Sequence, residues 1–164
     1  MRTVVYTISV ILLTALQSTL INYIQIFGIK PNLLLIFVVC VALFGGSIEG
    51  GMVGLFCGVV ADIIGHGAFG VNSLAYLYIG VIVGYLAITF FRGGAIVAIG
   101  FVFCTSIICG LLYYTFTYFM WGDTNLFLAL FRKIIPESIY TTAITLPIYF
   151  LFEKINFRLG VRKG

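Results

Sequence analysis

The chain has 164 residues, 62% of them hydrophobic and only 9% charged. A soluble domain of this length carries about a quarter charged residues, so this composition excludes one and makes lipid the solvent. The net charge of +4 owes much to Lys154, Arg158, Arg162 and Lys163 beside the last apolar segment, the pattern of a cytoplasmic membrane flank. Nucleic-acid binding is therefore set aside.

A membrane crossing needs about 20 apolar residues, and the chain offers six apolar segments, not all of that length, in one small integral-membrane domain, 1–164, with no soluble module. The fold expected is all-α, a polytopic membrane helical bundle of about six transmembrane helices. The first span covers 4–24. Met1 and Arg2 before an apolar run look like a signal peptide, but five further segments make this an uncleaved span. Toward its end Gln17, Ser18, Asn22 and Gln25 share one helical face, expected to hydrogen-bond other helices.

Gly28-Ile29-Lys30-Pro31-Asn32 then forms a turn, with Pro31 expected to open the next helix at its first position. The second segment, 32–44, is short for a perpendicular crossing. Either it borrows from the turn residues, or it is a partial span buried by its neighbours. A tight turn at Gly45-Gly46 leads into the third segment, 47–65.

Around that third segment Gly46, Gly50, Gly54, Gly58 and Asp62 recur every four residues. The spacing puts small residues along one side of a helix, where another backbone comes close. Lipid gives helices no hydrophobic reason to associate, so close van der Waals contact at small-xxx-small seams supplies it. This seam is expected to pack a helix of the same chain or of a partner.

Gly65, Gly67 and Gly70 break the segment before the fourth span, 71–91. The fifth, 95–120, ends in an aromatic cluster (Tyr113, Tyr114, Tyr118, Phe119 and Trp121) suited to a bilayer interface. Residues 123–135 start with Asp123 as an N-cap. They place Phe127, Leu130, Phe131 and Ile134 on one face, predicting a short interfacial amphipathic helix. The sixth span, 137–152, follows Pro136. Pro147 should kink it, with Thr141, Thr142 and Thr145 expected to serve the freed carbonyls.

With six spans and an inner N-terminus, Arg2, Arg92, Lys154, Arg158, Arg162 and Lys163 fall on the cytoplasmic side, and Lys30, Arg132 and Lys133 outside. The excess predicts both termini in the cytoplasm. Asp62 is the candidate functional residue, since an ionisable group within a span is costly. His66 lies one turn on, but the reading favoured is a structural carboxylate that caps N–H groups of the following turn or another helix. Cys40, Cys57, Cys104 and Cys109 lie in apolar stretches without metal or redox spacing. No nucleophile, metal set, cofactor loop or catalytic constellation is present, and the chain is read as no enzyme.

Gly28, Pro31, Asn32, then Gly46, Glu49-Gly50, Gly54, Gly58, Asp62, Gly70 and Asn72, with Ile135-Pro136-Glu137-Ser138 opening the last helix, resemble the motifs of the MreD family of rod-shape-determining membrane proteins. Ser47 stands where many members carry proline. The resemblance implies a non-enzymatic subunit of the cell-elongation peptidoglycan synthesis complex, in the cytoplasmic membrane. It would bind an MreC-like scaffold and work indirectly with the MreB filament and a polymerase–transpeptidase pair. It also implies a fold similar to the substrate-binding components of energy-coupling-factor transporters, and hence a rival reading as a vitamin-transporter subunit.

Overall fold

The computed structural model describes residues 2–19, 31–64, 70–90, 95–121 and 134–158. They form five helices: α1 (Arg2–Thr19), α2 (Leu33–Ile64), α3 (Val71–Phe90), α4 (Ala95–Trp121) and α5 (Ile135–Arg158). By length and composition, Leu33–Ile64 and Ala95–Phe116 are long and apolar enough to cross a membrane.

The α2 helix is bent into two arms. Gly46 sits at φ 83°, ψ −172°, a left-handed φ that side chains with a Cβ resist. Across the bend, a methyl group on Gly50 would lie 2.7 Å from the Ala42 side chain. Residues eight apart in a straight helix are about 12 Å apart, so the chain doubles back at Gly46 without any loop. The arms are α2a, before Gly46, and α2b, after it.

The α2a arm is the hub. Its nine residues Leu34 to Ala42 are each no more than 2% exposed. A helix apolar on every side belongs inside a bundle, and here its neighbours cover the whole circumference. The short second segment is thus a helix buried by its neighbours. Around it Tyr6 of α1, Phe37 and Phe44 of α2a, and Tyr149 and Phe152 of α5 form an aromatic cluster. Phe37 meets Phe152 edge-on at 5.4 Å, and Tyr6 stacks on Phe152 at 6.4 Å. That stacking sets the start of α1 and the end of α5 at one end of the bundle. Glu49, just past the bend, is at this end too, accepting the Tyr6 hydroxyl at 3.3 Å.

Two local expectations are corrected. Pro31 does not open the second helix: Asn32 is its N-cap, accepting the Leu35 N–H on Oδ1 at 3.1 Å and the Ile36 N–H on its carbonyl at 3.3 Å. Pro31 precedes the cap and is buried. Pro147 lies inside α5, but the threonines do not reach the carbonyl it frees, that of Ala143. Their hydroxyls bond one turn back: Thr141 to Glu137, Thr142 to Ser138 and Thr145 to Thr141, at 2.7, 2.6 and 2.9 Å. A helical threonine reaches only its own i−3 or i−4 carbonyl, and the residue one turn beyond Ala143 is Pro147 itself. The interfacial helix expected over 123–135 lies outside the described residues up to position 133. Ile134 is buried, packed against Gly110 of α4.

Candidate functional site

The glycine comb of α2b faces α3, and the two run antiparallel with their backbones in contact. The Gly46 carbonyl carbon and Ser47 backbone lie against Gly84, Gly50 against Gly80, Gly54 against the Tyr76 carbonyl, and Gly58 against Asn72 and Ser73. A methyl group on Gly50, Gly54, Gly58, Gly80 or Gly84 would overlap backbone atoms that cannot step aside. Approach this close brings Cα–H groups onto facing carbonyls, about 0.5–1 kcal/mol each, and adds the dispersion that holds helices together where lipid is the alternative.

The half of the seam on α3 went unread in the sequence. Gly80 and Gly84 carry the same four-residue spacing as the comb on α2b. That signal was available.

Asp62 closes the seam at its far end, 4% exposed. Its Oδ1 accepts the Asn72 N–H at 3.1 Å, and its Oδ2 accepts the Ser73 N–H at 3.0 Å and the Ser73 hydroxyl. The cause lies in the start of α3. Its first intrahelical bond runs from the Leu74 N–H to the Gly70 carbonyl, at 3.1 Å. Gly70, at φ 98°, therefore holds the N-cap position and has no side chain to cap with. The N–H groups of the first turn would otherwise stay unpaired. Asp62 supplies the missing acceptor from the neighbouring helix, and its charge faces the positive end of the α3 dipole. His66, one turn on from Asp62 in the sequence, lies outside the described residues.

A second polar contact ties α3 to the rest of the bundle. Asn32 donates from its side chain to the Tyr76 hydroxyl, and from its backbone N–H to Thr141 Oγ1 at 3.3 Å. Tyr76 is 1% exposed and Thr141 fully buried. One residue thus caps α2a while holding α3 and α5. Asn32 was singled out from its turn. Its partners, 44 and 109 positions away, leave no local signal in the sequence.

Of the other motif positions, Gly28 lies outside the described residues, and Pro136 stands in the first turn of α5, where a missing N–H costs nothing. Of the polar face on the first helix, only the Gln17 side chain is described. Its Oε1 is buried and meets no hydrogen-bond donor among the described residues. Among those residues no three potential metal ligands come together.

An all-α bundle with a lipid-suited surface, stapled by a glycine seam and a capping carboxylate, defines the class: a helical membrane protein. The family model for the rod shape-determining protein MreD matches residues 1–157. The chain therefore belongs to the MreD family, and its role lies in determining rod shape. No curated protein and no solved structure matches it.

Proposed function

We propose that this protein is a non-enzymatic subunit of the cell-elongation peptidoglycan synthesis complex, held in the cytoplasmic membrane by six spans. It maintains rod shape by binding an MreC-like scaffold. Through that scaffold it acts with the MreB filament and the polymerase–transpeptidase pair. The observation that carries this reading is the family match along residues 1–157. Both termini lie in the cytoplasm, in keeping with the excess of lysine and arginine assigned to that side and with α1 and α5 meeting at one end of the bundle.

Gly46, Gly50, Gly54, Gly58 and Asp62 serve by fixing the α2b–α3 hairpin as a rigid face of the subunit, with no part in bond chemistry. The rival reading, a vitamin-transporter component, calls for convergent polar groups in a pocket, and no observation favours it. The fold is nonetheless similar to that of those components, with the function of an interaction protein.

The test is co-purification from detergent with the bitopic MreC-like protein encoded by the same cell. Recovery of the pair, and rounding of cells depleted of this chain, is the expected result. Normal rods after depletion, or a chain that purifies without the scaffold under several mild detergents, would refute the proposal.

A further inference from the structure

The flank of α3 turned away from α2b borders a slot of about 540 Å³. Leu74, Tyr78 and Ile82 line it from α3, and Ile108, Leu112 and Phe116 from α4. All six are at least 40% exposed, so the slot opens sideways onto the surface that a bilayer covers. Its wall is almost entirely carbon. The Thr105 hydroxyl in it is already committed to the Phe101 and Val102 carbonyls of its own helix, at 2.6 and 3.2 Å. Among the described lining residues the other polar side chain is that of Tyr78, and none is charged. Ordered water needs two to four polar partners, and a phosphate needs cations or free N–H donors. No side chain among the described lining residues supplies either set.

Side-chain size decides between the apolar occupants. The slot follows α3 from Val71 to Val83, about 18 Å at 1.5 Å per residue. Helices approach one another closely in lipid over small residues, and the rim of this slot is Leu74, Tyr78, Ile82, Ile108, Leu112 and Phe116, which hold another helix backbone off. A single extended hydrocarbon chain fits between these side chains.

We propose that the α3–α4 slot is a binding site for one acyl chain of a bilayer phospholipid, recognised by its tail and not by its headgroup. The chain lies lengthwise between the helices and completes the packing that their side chains leave open. The inference needs only that the protein is embedded in lipid, and stands or falls apart from the partners proposed above.

The protein is reconstituted separately in vesicles of phosphatidylethanolamine and of phosphatidylglycerol, extracted into mild detergent and weighed intact by native mass spectrometry. One phospholipid per chain should stay bound, to within twofold the same extent from either vesicle. The double variant Ile82→Trp, Ile108→Trp should fill the slot and lower retention at least fivefold. Met52→Trp, on the exposed outer face of α2b, should leave it unchanged.

As a check that does not depend on the double variant folding, the wild-type protein is irradiated in vesicles whose phospholipid carries a diazirine in its tail. Labelling should favour 71–83 and 105–116 over 52–63 by at least fivefold. Even labelling of the two regions, retention that follows the headgroup, full retention in the filled variant, or a polypeptide cross-linked in the slot would each overturn the proposal.

Discussion

The α3 helix has two flanks of similar apolarity that pack in opposite ways. Toward α2b it presents Gly80 and Gly84, and the backbones touch. Toward α4 it presents Leu74, Tyr78 and Ile82, and a slot opens between the two helices. Hydrophobicity does not separate the two flanks; side-chain size and placement do. Where lipid is the solvent, an apolar surface gains nothing by leaving it, so a helix pair closes only where its backbones fit. The polar contacts follow the same division: Asp62 locks the closed flank, and the described slot has no such lock.

The sharpest way to break this contrast is to put bulk into the closed flank. Gly54→Leu or Gly80→Leu drives a side chain into a facing carbonyl that cannot retreat. Overpacking of this kind costs 1–3 kcal/mol even where side chains can move aside. The amount of folded protein in membranes, measured by fluorescence-detected size exclusion, should fall at least tenfold. Wild-type levels in both variants would mean that the seam does not hold the hairpin.

Next in size is the lock. Asp62→Leu strands two N–H groups and a hydroxyl in low dielectric, at about 1–3 kcal/mol each. Asp62→Asn keeps an acceptor and should be milder, with yield and melting temperature between Leu and wild type. If Asn and Leu fail alike while both proteins accumulate normally, the charge itself is required and capping does not explain it.

A smaller loss is expected at the contact that anchors the closed flank to the hub. Asn32→Ala removes the cap of α2a, about 1 kcal/mol, and leaves the Tyr76 hydroxyl unpaired. Tyr76→Phe should restore part of that loss in the double variant, because a buried hydroxyl without a partner is then absent. Strict additivity of the two melting shifts would show that the contact contributes nothing.

The smallest effect sharpens the comparison by its sign. Gly100 in α4 is exposed, and a methyl group added there meets nothing within 4 Å. Gly100→Ala should be neutral or stabilise by about 0.5–1 kcal/mol through helix propensity, while Gly80→Ala destabilises. A common direction for the two would make backbone flexibility, and not close approach, the reason for glycine in this chain.

Those expectations rest on features the sequence displayed unevenly. The helical class, the break at Gly46 and one half of the seam were legible because period and residue size are local properties. Asp62 stood out because a carboxylate in an apolar stretch demands a partner. The donors it serves were harder to foresee, since they depend on Gly70 holding the cap position of α3. Complete burial of α2a was one of two readings of a short segment, and the choice turns on neighbours far along the chain. Tyr76, Thr141 and the slot had no sequence signature: each arises from helices brought together by tertiary packing.

The coverage of α2a also orders events during synthesis. This helix is the second element made, yet Phe37 and Phe44 rest on Tyr149 and Phe152 of the last. Until α5 leaves the ribosome, one side of the hub must face lipid or a placeholder such as an insertase or chaperone. A chain cut before α5 would present that side permanently, leaving quality-control proteases a ready means to tell an unfinished molecule from a complete one.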